Sequence, residues 1–542
     1  LVRPGSISKL FTAIAVMQLV DAGKLDLDRD VNAYIDFAIP TPQGGVPVTL
    51  RRLLTHRAGF EEHIKGLFGR DQPSAPLGHW LARGLPLRLF PQGDVEAYSN
   101  YGFALAGYIV ERVSGEAFED YVQRHLLDPL GMRHSTFRQP LPQALAPLMA
   151  RGYRLGNLPL PFFEAIIAPA GGLSASATDM ARFMRALMNG GALDGARILP
   201  QARLEEMLAP QSATSAGYLG LAFFGTKIRD HDAISHQGET MAFDSELAIF
   251  PAEGIGVFFS RDGIGEIHSA DDLKDIPNPA AAIAARFLPR VTAAGALPVD
   301  PGIAGTYRSS RRAVSSLVRL NDMMTQVAVT VDGARAALHP AVWPFGAGEP
   351  IRRLVGDLYL WPPNQHFAFV AQGPQSSFAQ PAVRLQRVPF VDDARWIAPA
   401  FAACALAVLP TALCWPFAAL YRRLRGRRWS EARSARRRHL LVRLVALADA
   451  VAIVVTVTLF GLRFYDLSLF GDALDPVLLA LYALGWLGVL GALPTLHIAT
   501  QFWRDRSGSH WSRVHHALVA ASNLMLAWFF LTFRIAGTTL NY

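Results

Sequence analysis

The 542 residues are too many for one hydrophobic core and imply two to four domains. The net charge of +8 suggests nucleic acid at first sight, but residues 422–443, RRLRGRRWSEARSARRRHLLVR, hold ten Arg against one Glu, so the rest of the chain sums to about −1. A basic excess confined to one segment argues against a nucleic-acid partner, and two cysteines in one apolar run, Cys404 and Cys414, exclude a disulfide framework.

In chain order, the first residue is Leu and a helical pattern starts within ten residues, so the natural N-terminus, with any signal peptide, is expected to be missing. Helices are predicted at 6–22, 100–114, 178–190 and 278–288, alternating with strand-like runs, an α/β reading. The run LFTAIAVMQLV is apolar nearly all round, which implies a buried helix whose N-terminus sits at the floor of a cleft. Ser6 and Lys9 lie three residues apart at its start and share a face. Free N–H groups, the positive end of the helix dipole and desolvation all disfavour an ammonium there, so Lys9 can accept the proton of Ser6. Taken alone, Ser6 reads as well as a helix cap.

Two further stretches change the weight of that pair. DVEAYSNYGFALAGYIVERVSG places Tyr98 and Asn100 just before a helix, and ISHQGETMAFDSELAIF places His236 and Gly238 at the start of a strand-like run. The two His of HRAGFEEH, His56 and His63, match no common zinc spacing, and no Gly-rich phosphate loop or dinucleotide fingerprint follows a strand, so neither metal nor cofactor is expected.

RVTAAGALPVDPGIAG (290–305) reads as a linker, and QVAVTV, GDLYLW, HFAFVA and VRLQRV, between Gly, Pro and Asn, read as strands of a β-rich module over about 298–390. No charge occurs from Trp396 to Tyr421, more than the ~20 apolar residues that cross a bilayer. Membrane helices are predicted at about 396–421, 444–462, 476–503 and 517–533. Lys and Arg are retained on the cytoplasmic side, which puts the Arg-rich segment and RDRSGSHWSR (504–513) inside, and RFYDLSLFGDALDP (463–476) together with everything before Trp396 outside. Asp449, about two turns into the second helix, reads as a partner-paired residue near the inner interface, and His515 and His516 as interfacial.

The three motifs in order, Ser-X-X-Lys, Tyr-X-Asn and His-X-Gly, resemble the β-lactamase-related serine hydrolases: class C β-lactamases, D,D-peptidases and esterases of that fold. The resemblance covers about 1–262 and includes LLTHRAGF (53–60), DPLGMRHSTF (128–137), APAGGLSASATDMARFM (168–184) and PAEGIGVFFSRD (251–262). It implies an α/β (α+β) penicillin-binding-protein-like fold over 1–290, lacking N-terminal strands of its central sheet; the patterns above add a linker and β-rich domain over 291–395 and a four-helix membrane region over 396–542. It gives Ser6 the role of acylated nucleophile, Lys9 that of its base and Tyr98 that of proton shuttle. Asn100 would hold Lys9 and bind substrate, while Gly238 would let substrate lie against the strand edge. The N–H groups of Ser6 and Glu239 would form the oxyanion hole. His236 stands where many members carry Lys, which weakens the case for an anionic substrate because imidazole titrates near ~6.5. TMAF (240–243) replaces the usual Pro-Gly-Phe-like turn. The expected protein is a membrane-anchored serine hydrolase acting on an ester, amide or peptide outside the cytoplasmic membrane. The alternative is a membrane sensor that binds or is acylated by ligand without turnover.

Overall fold

In the computed structural model the described residues are 1–69, 76–154, 158–229, 231–263, 279–289, 297–342, 348–361, 365–426 and 433–542. The first part of the predicted linker and residues 427–432 of the Arg-rich segment lie outside them. Two compact units are present, one holding Leu1–Arg311 and nearly all of a β-barrel, the other Arg312–Gln326 and Pro389–Tyr542.

The four helices predicted in the first unit are α1 (Ser8–Asp21), α2 (Asn100–Ser114), α3 (Ala177–Met188) and α4 (Pro279–Phe287). Burial explains α1: Leu10, Phe11, Ala13, Ile14, Ala15, Val16 and Met17 are all sealed from solvent, and the Phe11 ring stacks 4.2 Å from Phe183 of α3. Ser99 caps α2 by accepting the Gly102 N–H, and Gly115 ends it at φ +75°, a left-handed turn that favours glycine. Beside the helices lies a six-stranded antiparallel meander, β1 (Ser212–Thr214), β2 (Gly217–Leu219), β3 (Phe224–Ile228), β4 (His231–Glu239), β5 (Asp244–Phe250) and β6 (Ile255–Arg261).

The β-rich module is a closed eight-stranded barrel, a closure the strand patterns alone did not specify. Its strands are β7 (Gly305–Ser309), β8 (Val327–Asp332), β9 (Arg335–Pro340), β10 (Glu349–Val355), β11 (Leu358–Trp361), β12 (Gln365–Val370), β13 (Ser377–Gln380) and β14 (Val383–Arg387). It closes where Tyr307 of β7 pairs with Arg387 of β14. Aromatic side chains fill it, with Phe378 fully buried against Trp361 (4.6 Å), Tyr307 (5.0 Å) and Phe369 (5.1 Å).

The second unit carries α5 (Ala394–Leu424), α6 (Arg433–Tyr465), α7 (Asp475–Arg504) and α8 (His510–Thr532). All four are long and apolar enough to span a membrane. Each runs beyond its predicted bounds on at least one side. The largest extension is at α6, which starts inside the Arg-rich segment read as a loop, because arginine is a good helix former and the apolar pattern continues from it. Asp449 therefore lies mid-helix rather than near an end, buried beside Gly488, where a Cβ would fall 2.1 Å from its Oδ1. Asn523 bonds Thr495 Oγ1 at 3.3 Å and, with its amide turned, donates to Asp449 Oδ2 at 3.0 Å. His516 is likewise buried among the helices, its Nε2 3.0 Å from Nδ1 of His439 and its ring stacked on Phe502.

Candidate active site

Ser6 lies in a single 3₁₀ turn, Gly5–Ile7, that runs directly into α1. Gly5 takes φ +54°, and a Cβ on it would meet the Glu239 carbonyl oxygen at 2.7 Å. A Cβ on Gly238 would fall 1.9 Å from the Pro4 carbonyl oxygen and 2.9 Å from the Ser6 nitrogen. Two glycines therefore let the end of β4 lie against the backbone that carries Ser6, which brings the Ser6 and Glu239 amides into one place.

One turn on, Lys9 is buried, with Nζ 2.9 Å from Ser6 Oγ, 2.8 Å from Asn100 Oδ1 and 2.7 Å from the Ala170 carbonyl oxygen. Burial, then the charge of Arg311, push its pKa well below the ordinary lysine value, against a smaller opposing effect of Glu62. A neutral amine has two N–H donors and one lone pair. Asn100 Oδ1 and the Ala170 carbonyl can only accept, so they take the two N–H groups and leave the lone pair to the Ser6 hydroxyl. That is the state in which Lys9 can receive a proton.

Tyr98 closes the other side of Ser6. Burial raises its pKa to about 12, and the hydrogen bond to Ser6 and the charge of Arg311 oppose that rise, so the phenol is protonated at rest. Its ring stacks 4.2 Å from the buried imidazole of His56, whose Nδ1 accepts the Ser99 N–H and whose carbonyl accepts the Ala97 N–H. His56 is kept neutral chiefly by burial. His236 of β4 is buried, stacked 4.6 Å from Phe224, and held at a pKa of about 3 by burial and by Lys9, so it carries no charge near neutrality.

Of the predicted site residues, Lys9 and Tyr98 bond Ser6, Asn100 bonds Lys9, and Gly238 and Glu239 lie against the backbone around Ser6, while His236 stands two residues before Gly238 on β4, packed on Phe224. The sequence did not single out the Ala170 carbonyl, the His56 brace or Arg311. Ala170 sits in a stretch assigned to framework, His56 is a residue weighed only as a metal ligand and then assigned to framework, and a backbone carbonyl leaves no side-chain signal. Arg311, on the connection leaving β7, has its guanidinium carbon 4.9 Å from the Tyr98 ring centroid and donates from Nε to Glu62. His63 meets Trp80 instead of pairing with His56. Thr240–Phe243 forms a tight turn, with the Thr240 N–H bonded to the Phe243 carbonyl at 2.8 Å. With Arg3, Phe68, Met149, Leu160, Phe162 and Phe163 among its neighbours, that turn lines a cavity of about 210 Å³.

Residues 1–266 match the family model described as β-lactamase. The chain is 30% identical over 217 residues to PbpX of Bacillus subtilis, a protein named for penicillin binding, covering 39% of this chain and 51% of that protein. It is 29% identical to penicillin-binding protein 4 of Amycolatopsis lactamdurans, covering 56% of this chain and 84% of that one. Against PbpX, as against several other curated relatives, the chain spans about half their length. Among solved structures, SurE is 22% identical with a TM-score of 0.48, over 71% of this chain and 87% of that one.

Proposed function

Since residues 1–266 form a domain of the β-lactamase family, we propose that the protein is a membrane-anchored serine hydrolase working through an acyl-enzyme on Ser6. The observation that carries this reading is the threefold coordination of Lys9, which orients a neutral amine on the Ser6 hydroxyl. The amine takes the proton as Oγ attacks an ester or amide carbonyl, and the N–H groups of Ser6 and Glu239 receive the developing oxyanion. Tyr98, protonated and bonded to Ser6, hands a proton to the leaving group and takes one from the water that later releases the acyl group. Asn100 keeps Lys9 in register. The four apolar helices support membrane anchoring, and the Arg-rich segments support an inner-side placement of the loops that carry them, with the hydrolase domain outside.

The test is labelling of membranes with a fluorescent phosphonate, mapped by peptide mass spectrometry. Ser6 is the expected label, and Ser6→Ala abolishes it. Labelling that survives this substitution overturns the assignment. On an ester that is processed, continued turnover after the first enzyme equivalent is expected; a burst that stops there identifies a sensor instead.

A further inference from the structure

His236 occupies the place where a cation would meet an anionic substrate, yet it is buried and stacked on Phe224. Lys9 is sealed beneath Ser6, its Nζ committed to three oxygens. Permanent positive charge at the site comes from elsewhere. Arg311 stands over the Tyr98 ring, and its side chain is 40% exposed.

Its surroundings fix the guanidinium without saturating it. The Glu62 carboxylate, 10% exposed, takes Nε of Arg311, and among the described residues no protein group takes Nη1 or Nη2. Those two amines form the end of the guanidinium fork whose geometry fits a carboxylate with two parallel hydrogen bonds. The barrel is held in register with the tyrosine loop on both sides of this contact. Arg384 Nη2 donates to Glu96 Oε2 at 3.0 Å, Ser310 Oγ donates to the Glu96 carbonyl at 2.5 Å, and Ala97 bridges to Val383. Arg311 therefore reaches Tyr98 from a scaffold bonded one and two residues upstream of it, which is preorganisation of a kind a surface arginine lacks.

We propose that Arg311, supplied by the barrel, is the anion-recognition residue of this site, binding through Nη1 and Nη2 a free carboxylate on the ester or amide substrate. The barrel is then part of the substrate site, and an arginine carried by the barrel supplies the positive charge that the neutral His236 does not. This rests on the serine hydrolase reading above. Glu62 is the positioning residue, since it spends one donor of Arg311 to hold the other two outward.

The test uses the full chain in detergent and two matched aryl esters, one with a carboxylate on the leaving phenol and one with that carboxylate methylated, alongside an acyl dipeptide and its C-terminal amide. Wild type is expected to prefer the free acids. Arg311→Gln should lower kcat/KM for the acids by about 10- to 100-fold more than for the neutral partners, mainly through KM, as loss of a charged hydrogen bond implies. Arg311→Lys should restore part of the preference, because a point charge replaces the fork. Equal losses on acid and neutral substrates, or no preference for either acid in wild type, overturn the proposal. Phosphonate labelling of Ser6 in wild type and in Arg311→Gln separates the two readings. Labelling with equal losses sinks only the role of Arg311, and absence of labelling in wild type sinks the hydrolase reading and this proposal with it.

Discussion

Helix α1 and helix α5 have nearly the same kind of sequence and opposite surroundings. Both are apolar all round, but α1 is 14 residues long and its apolar side chains are buried in protein, whereas α5 is 31 residues long and leaves Leu406, Leu413 and Phe417 from 63 to 74% exposed. An all-round apolar helix needs a surrounding apolar medium. For α1 that medium is Phe183, Phe137 and the neighbouring helices; for α5, long and apolar enough to span a membrane, the proposed anchoring supplies a bilayer, which suits an exposed apolar face of that extent. Length decides between the two: 14 residues span about 21 Å, short of ~30 Å of hydrocarbon, and 31 span about 46 Å. The polar residues of the two regions differ in the same way. Lys9 in α1 is matched by three oxygens, while Asp449 in α6 leaves Oδ1 without a partner among the described residues.

The contrast breaks most sharply with a charge placed on each helix. Ile14→Asp buries a carboxylate with no partner and should cost at least about 4 kcal/mol, enough to remove both the folded domain and the Ser6 label. Leu406→Asp should leave the Ser6 label in place and instead weaken membrane retention, read by carbonate extraction of labelled membranes. Loss of labelling in Leu406→Asp with normal retention would mean that α5 serves the domain fold rather than the membrane.

Lys9→Met sharpens the contrast between matched and unmatched polar groups. It removes the proton acceptor and should lower kcat/KM by about 10²- to 10⁴-fold, while far-ultraviolet circular dichroism keeps its native shape. Asp449→Asn, which keeps a partner for Asn523, should leave the same kinetics within twofold. In the mechanism proposed for the unsubstituted protein the base form of Lys9 is the active one. Activity should rise with pH through the Lys9 pKa and level off well below the ordinary lysine range of ~10.5, because burial depresses that pKa. A rise centred at the ordinary lysine value would remove the neutral-amine mechanism.

Gly238→Ala probes the approach of β4 to α1. Its Cβ would fall 1.9 Å from the Pro4 carbonyl, backbone against backbone, so the strand must move away from Ser6. Activity should drop about 10²-fold, in line with loss of an oxyanion donor, with a loss of stability of about 1–3 kcal/mol. A variant with native kcat/KM would show that the Glu239 amide is not needed at its present distance.

How much of this was readable from residues alone follows a physical line. Ser6, Lys9, Tyr98, Asn100, His236 and Gly238 are side chains, or a missing one, in short local motifs, and local spacing fixes what they can reach. The third partner of Lys9 is a carbonyl 161 residues away, held because Thr12 Oγ1 bonds the Pro169 carbonyl and Ser8 Oγ takes the Leu173 N–H. No pattern within one segment encodes that. Arg311 was hidden for a similar reason: its position depends on closure of the barrel and on the Glu96–Arg384 pair, which joins residues 288 apart. Asp449 was read too close to a helix end because the arginines before it suggested a loop, although arginine tolerates a helix well.

The last comparison concerns the response of the first unit to acid. His236 is held neutral with a pKa of about 3, against ~6.5 in the unfolded chain, by burial first and by Lys9 second. A base whose pKa is lowered on folding binds more protons when unfolded, so the domain loses stability as pH falls below ~6.5, and goes on losing it down to about 3. His63, held at about 4 by burial, adds to the slope in the same direction. Each such group contributes at most about 1.4 kcal/mol per pH unit. His236→Gln should therefore flatten the decline in urea midpoint between pH 6.5 and 4, with Ser6 labelling used as the readout so that only the first unit is followed. If the variant keeps the full wild-type slope, His236 is protonated in the folded domain. The site would then hold a second cation beside Arg311, and the case for the barrel as the source of its positive charge would lose its ground.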